Sequence, residues 1–406
     1  RQRQMCIRDS PCNPSEFIDY YYSRDDVPSF NLTASSIHSI IRGLLKCGHN
    51  VVVFTSSIDI NHNLVYEGEH IKVFVLTRKI ICKKIGVIDR FYMVSRLKKI
   101  IKANIHSLDV LHAHWTYDYA LACAEYSKLL PVFCTIRDWC PYLLKVYNKT
   151  IGEKIYWRVS YWVFRTVVYN QNINFIANSE YTYNCFLQFV SGKKIPIIYN
   201  SIREEFLKGE NKEYPKTPVF IAISTFLDDP RKNMLTLLKA FKKYNAEVPE
   251  SKLLLVGQYK QDSDFIKQCK IDDLLVNVKL EGLVPHEKLI NLIDSTSILI
   301  HPSLEETFGN ILLEGMARKV PIIAGMNAGA VPFILKQGKY GCLCDVKKEV
   351  EIYNSICMIM NDEVYRNLLV ENAFNYLKNN YLDEIIVEKH ISSVSYTHLT
   401  LPTTSR

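Results

Sequence analysis

Two glutamates, Glu306 and Glu314, are separated by seven residues with Phe308-Gly309 between them. Phe308, Ile311, Leu312, Gly315 and Met316 recur at helical spacing. This predicts a helix over residues 307–319 with its apolar face on a core, Glu306 just before it and Glu314 two turns inside. Gly309 in the first turn lets a ligand approach main-chain N–H groups that lack intrahelical partners, and the dipole end there favours an anion. A phosphate is the natural guest. The plain alternative is an amphipathic helix with a capping carboxylate. A second set of chemistry-bearing residues ends two strand-like stretches. His112 and His114 close the first and are expected on opposite sides of the strand end, one in the core and one, preferably His114, toward a ligand. Arg137-Asp138 closes the second. An arginine holds a phosphate or carboxylate bidentately but cannot act as a base near neutral pH, so Arg137 is expected to position rather than to move protons. Asp262-Ser263-Asp264 spells the oxygen-rich D-x-D of some metal sites. It sits in a polar run after Gly257 where a helix should start, so a capping role is the better reading and no metal is expected.

The block from His301 to Leu335, including His301-Pro302-Ser303 and Pro321-Ile322-Ile323-Ala324, resembles the donor site of retaining glycosyltransferase family 4 (glycosyltransferase group 1). The resemblance implies a GT-B fold, two Rossmann-like, doubly wound parallel-sheet domains facing a central cleft. It further implies that Glu306 lies near the donor sugar, that Phe308, Gly309 and Asn310 meet a diphosphate, and that Glu314 holds ribose hydroxyls. Lys232 matches the lysine of the family's Arg...Lys element, whose cations neutralise the diphosphate. Phe226 stands in the arginine's place, with Arg231 the compensating candidate. Gly282 and Leu283, at the end of another strand, complete the implied donor-binding set. Where most of the family has His-Asp, this chain has Arg137-Asp138. Proton removal from the acceptor then falls to the leaving phosphate, Asp138 or His114, and the candidate catalytic residues are Glu306, His114, Arg137 and Asp138. The turn over residues 23–31 departs from the family's glycine-rich pattern: it holds Pro28 but no glycine.

The elements that must position these residues alternate. Residues 34–47 carry a helical apolar pattern that Gly48 terminates, and residues 51–55 form a continuous apolar run suited to a buried parallel strand. Similar units recur through residues 108–112, 131–135, 175–179, 219–224, 252–257, 278–283 and 298–301, which predicts α/β architecture. Residues 17–22 (FIDYYY) read as the remnant of a first strand. The expected domains are an acceptor-side domain over 11–200, a polar linker over 201–218, a nucleotide-sugar domain over 219–381 and a truncated crossover helix over 382–393. Residues 1–10 and 394–406 lack periodicity and resemble translated adaptor sequence, so they are set aside as non-native ends of a truncated protein.

The chain's 406 residues, 48% hydrophobic, suffice for two domains. Of the formal +8 charge, Arg1, Arg3, Arg8 and Arg406 less Asp9 contribute three. The remainder is too diffuse for a nucleic-acid partner. Twelve scattered cysteines point to a reducing, cytoplasmic setting rather than disulfides or zinc. No run of about 18 apolar residues suggests a membrane span. The stretch over residues 78–102, with Arg78, Lys79, Lys83, Lys84, Arg90, Arg96, Lys98, Lys99 and Lys102, reads either as a solvated helix face or as a patch resting on an anionic membrane surface. The aromatic-rich residues 139–171 read as helix packing or as an acceptor- or lipid-facing surface. The expected activity is transfer from a nucleotide-sugar donor to a saccharide or lipid-linked acceptor, in bacterial cell-surface polysaccharide biosynthesis, with no cofactor. The alternatives are a sugar-nucleotide 2-epimerase of the same fold and a non-catalytic carbohydrate- or partner-binding relative. A dinucleotide oxidoreductase is disfavoured, since no G-x-G-x-x-G follows a strand.

Overall fold

The computed structural model describes residues 3–8, 12–30, 35–78, 86–148, 150–190, 192–208 and 214–400. The chain divides into two compact units, Arg1–Ser201 with Asp383–Arg406, and Ile202–Leu382.

Among the described residues the first unit carries strands β1 (Arg3–Arg8), β2 (Asn50–Ser57), β3 (Leu64–Glu67), β4 (Ile71–Thr77), β5 (Val110–His114), β6 (Val132–Ile136) and β7 (Ile173–Ala177). They form one sheet in the order β3-β4-β2-β1-β5-β6-β7, parallel except for β3 against β4. The apolar run of β2 shows why the sheet is doubly wound. Val51 and Val53 pack with Ile37, Ile40, Ile41 and Leu44 of helix α1 (Ser35–Lys46). Val52 and Phe54 face the other way, into the cluster holding Met93, Leu97 and Phe164. Successive strand residues alternate faces, so both faces must be covered by helices. On that second face lie α2 (Gly86–Asn104), α3 (Asp118–Ala124), α4 (Cys140–Val146) and α5 (Ile151–Val168).

One reading near the chain start is corrected, that of residues 17–22. Arg3–Arg8, within the stretch set aside above, is placed as the central strand, Cys6 opposite both Val53 and His112. Residues 17–22 are no strand: Pro14–Tyr20 is a 3-10 helix with Pro14 at its start, where a fixed φ and missing N–H are tolerated. Phe17 is buried while Tyr22 is exposed. At the other end the helix Asp383–Thr400 runs past residue 393 and sends Ile386 and Val394 into a cluster with Val110, Phe133 and Ile176.

The second unit has β8 (Val219–Phe226), β9 (Lys252–Gln258), β10 (Val278–Gly282), β11 (Ile298–His301), β12 (Ile322–Gly325) and β13 (Cys342–Cys344), all parallel, in the order β10-β9-β8-β11-β12-β13. The order runs outward in both directions from β8 and β11. Both sheets are therefore Rossmann-like, and a switch point lies past the carboxyl ends of β8 and β11, where open α/β sheets bind ligands. Helix α6 (Glu180–Leu187) ends the first unit's main segment; α7 (Met234–Glu247), α8 (Asp264–Ile271), α9 (His286–Asp294) and α10 (Asn310–Ala317) connect strands of the second. The expected linker is in part built onto the second unit. Arg318 forks onto Asp294 at 2.7 Å through both nitrogens and donates to the Phe206 and Lys208 carbonyls. Phe206 is fully buried. Residues 209–213 of that segment lie outside the described residues.

Candidate active site

The switch point of the second sheet gathers a lysine, a glutamate and a histidine. Past β8 the chain makes a 3-10 turn over Pro230–Lys232, capped by the Asp229 side chain, and Asn233 takes a left-handed conformation (φ 55°) before α7 begins. Asn233 Nδ2 donates to the carbonyls of Pro302 (3.2 Å) and Val346 (2.7 Å), and Leu304 N–H donates to the Arg231 carbonyl (2.8 Å). The turn after β8 is thereby clasped to the loop after β11. Within that clasp Lys232 Nζ lies 2.5 Å from Glu306 Oε1, and His301 Nε2 lies 3.3 Å from the same oxygen. Burial alone would raise the Glu306 pKa. The Lys232 charge and the His301 contact outweigh it and hold the carboxyl well below the usual range. Glu306 is a fixed carboxylate.

Three residues on, Gly309 caps α10 with φ 88°, a conformation that costs other residues 1–2 kcal/mol or so. This left-handed break explains why the helix starts at Asn310 and not at 307, and why Glu314 is its fifth residue and not two turns inside. The Phe308 ring is buried edge-on to Tyr381, 6.2 Å between centroids, so it anchors the loop while Gly309 and Asn310 form the helix start. At Glu314 burial dominates and pushes the carboxyl up to about 7, with the Arg203 charge opposing it. Arg231 is the residue that least fits its expected part. Its guanidinium forks onto neighbouring Asp229 (2.7 and 3.2 Å), because the capping carboxylate two residues earlier is already in reach.

Phe226 is exposed at the end of β8, past a register irregularity that begins at Ile223. Gly257 follows the same edge with φ 150°, and a Cβ there would come within 1.9 Å of the Ser224 carbonyl oxygen. Beside these lies a hollow of about 400 Å³ lined by Phe226, Asp228, Gln258, Tyr259, Lys260, Gly282 and Leu283, at the ends of β8, β9 and β10. It contains the two strand-end residues Gly282 and Leu283. Ser263 caps α8 by accepting from Ile266 N–H at 3.4 Å, which gives the Asp262-Ser263-Asp264 stretch its place in the fold. Among the described residues no three His, Cys, Asp or Glu side chains cluster as metal ligands do.

In the first unit the histidines differ from expectation. His112 and His114 stand two apart on β5 and so share one face, their ring centroids 4.4 Å apart. His390, from the helix Asp383–Thr400, lies with its ring tilted 48° to that of His112, 5.6 Å between centroids. Burial first, and the Arg137 charge second, push the His112 pKa down to about 3. Arg137 is itself buried. Its Nε donates to His114 Nδ1 (3.1 Å) and its Nη1 to Ser36 Oγ (2.9 Å) and Asn200 Oδ1 (2.7 Å), over the face of Trp115. The His114 nitrogen that accepts carries no proton, so the ring's own proton sits on Nε2. Asp138 lies beside the buried phenol of Tyr117, whose pKa burial and the Asp138 charge push well upward.

Residues 203–376 match the family described as Glycosyl transferases group 1, and residues 33–206 match Glycosyltransferase Family 4. The chain belongs to family 4 of the glycosyltransferases. This glycosyltransferase is 24% identical over 386 residues to N-acetyl-alpha-D-glucosaminyl L-malate synthase of Bacillus anthracis, a match covering 86% of the chain and 89% of the relative. In fold it is similar to sucrose-phosphate synthase from Thermosynechococcus elongatus, with a TM-score of 0.78 at 17% identity over 99% of this chain and 100% of that one. It is also similar to HepE of Anabaena in complex with UDP-glucose, with a TM-score of 0.69 at 17% identity over 97% and 99% of the two chains. The glycosyltransferase thus has the GT-B fold and is a transferase of glycosyl groups. Sequence reasoning missed three of its site contacts: His301 on Glu306, Asn233 as a clasp, and Arg203 opposing the burial of Glu314. Only His301 carried a signal, a histidine at a strand end just before Pro302-Ser303.

Proposed function

We propose that the second unit binds a nucleoside-diphosphate sugar at its switch point and that the enzyme moves the sugar, with retention, to a saccharide or lipid-linked acceptor in cell-surface polysaccharide synthesis. The observation that carries this reading is the convergence of Lys232, Glu306 and the start of α10 past β8 and β11. When the bond from the sugar's anomeric carbon to the phosphate oxygen breaks, its electron pair leaves with the diphosphate. Lys232 and the helix start meet that negative charge without a metal. Glu306, permanently ionised, faces the positive charge developing on the ring. Glu314 accepts from ribose hydroxyls, and the 400 Å³ hollow has the dimensions for a nucleobase against Phe226. The acceptor oxygen bonds to the anomeric carbon and gives its proton to the leaving phosphate. The HepE complex with UDP-glucose favours a uridine donor.

A membrane-bound acceptor is favoured by one surface of the first unit. Exposed Ile88, Phe91, Lys99 and Lys102 follow one stripe of α2, and exposed Ile151, Ile155, Arg158 and Trp162 follow one of α5. The stripes meet where Phe91 and Trp162 approach edge to face at 6.2 Å. Aromatic rings mixed with cations suit an anionic bilayer interface. Arg90 is excluded from that surface, being buried on Asp118 and Ser160, while Lys79, Lys83 and Lys84 lie outside the described residues. Among the described residues no helix is long and apolar enough to cross a membrane.

Calorimetry with uridine, guanosine, adenosine, cytidine and thymidine diphosphates, and with their sugars, tests the donor site. Binding of one diphosphate, weakened by Glu314→Ala, is the expected result; no binding of any would refute the reading. Conversion of donor without acceptor would assign an epimerase instead. Cosedimentation with phosphatidylglycerol vesicles, lost in a Phe91→Ser, Trp162→Ser variant, tests the surface.

A further inference from the structure

Lys232 and His301 converge on a single oxygen of Glu306, at 2.5 and 3.3 Å. The lysine cannot give its full charge to a diphosphate while that carboxylate holds it. Nor can its neighbour stand in, because Arg231 is forked onto Asp229. The backbone of the turn is tied down by Asn233, so any change of partner is a rotation of the flexible lysine stem and not a loop movement. The Lys232 side chain is 17% exposed, enough for its head to meet an arriving anion. Resting on the donor reading above, we propose that Lys232 is handed from Glu306 to the donor's diphosphate. His301 is then the positioning residue that keeps Glu306 aimed at the sugar after the lysine has moved.

The exchange has a consequence for the end of the cycle. Once the sugar is gone, the carboxylate competes with the nucleoside diphosphate for Lys232 and repels it directly. Glu306 is therefore a built-in aid to product release as well as a partner for the ring. The same group that helps the reaction weakens the binding of its product.

The test uses the whole chain and the nucleoside diphosphate that the wild type binds most tightly in the calorimetric panel. Glu306→Gln preserves shape and removes the competing charge. It should bind that diphosphate about tenfold more tightly, the effect of roughly 1.4 kcal/mol, while transfer is lost. Equal or weaker binding by the variant, with binding by the wild type intact, overturns the exchange and leaves the donor reading standing. Binding by neither defeats the donor reading and the exchange with it. For His301, the Ala variant should lose about tenfold in kcat with diphosphate affinity unchanged, and His301→Gln, whose amide can still donate, should recover most of it. Thermal melts report whether each variant folds. If a folded Gln variant is as slow as Ala, or Ala is as fast as wild type, the positioning role falls.

Discussion

Each of the two sheets runs outward from a central switch, and each has a cation beyond its strand ends. In the second unit Lys232 keeps part of its side chain exposed and holds one carboxylate; in the first, Arg137 is buried and spends its donors on His114, Ser36 and Asn200. Shared topology fixes where a polar group can stand, and the acceptors around it decide whether its charge is available to a ligand. Arg137 has three acceptors within its own unit, Lys232 one carboxylate.

The largest effect should separate these two cations. Lys232→Ala should reduce kcat/KM about 10²- to 10³-fold, the usual cost of removing one donor aimed at developing charge, and should lower the urea midpoint as well, since Glu306 loses the partner that offsets its burial. A comparable rate loss from a folded Arg137→Lys variant would erase the distinction.

The pH response should sharpen it, because the two units titrate in opposite directions. Glu314 has a raised carboxyl, near 7 against an ordinary 4.5. Its contribution to stability is whole below pH 4.5 and is lost as pH rises through 7, up to about 3 kcal/mol. His112 has a depressed imidazole, near 3 against 6.5. Stability from keeping it neutral is whole above pH 6.5 and is lost as pH falls toward 3, about 2 kcal/mol by pH 5. Hydrogen exchange followed by mass spectrometry should therefore show β5 loosening at pH 5 and α10 loosening at pH 8. The same direction in both units would break the comparison.

Arg137→Lys should cost about 1–3 kcal/mol in urea unfolding, since one ammonium cannot serve three acceptors spread over a fork. The smallest effect belongs to Arg231→Ala, less than about threefold in kcat/KM, because its charge is already matched by Asp229. A loss as large as that of Lys232 would mean that Arg231 leaves Asp229 for the donor.

The sheets were legible because runs such as Val51-Val52-Val53-Phe54 have little use except a strand covered on both faces. The block from Glu306 to Glu314 stood out because Glu306, Gly309 and Glu314 carry chemistry at a fixed spacing. What stayed hidden depended on geometry that sequence distance conceals. The 3-10 turn at Pro14–Tyr20 passed for a strand since aromatic residues favour both extended and packed turn positions. His112 and His114 were assigned to opposite sides although a strand's two-residue period puts them on one. The pairing of Arg231 with Asp229 follows from a cap two residues away, and the contact of Lys232 with Glu306 spans 74 positions. Neither leaves a periodic trace.

The clasp made by Asn233 bears on how the enzyme can drift over generations. Its amide addresses main-chain carbonyls, at residues 302 and 346, and every amino acid supplies a carbonyl. Those two positions can change side chains without loosening Lys232. Position 233 cannot, since aspartate there offers no N–H and a larger residue strains the left-handed turn. Substitutions at 302 and 346 should thus leave the clasp in place, whereas one at 233 removes both of its hydrogen bonds.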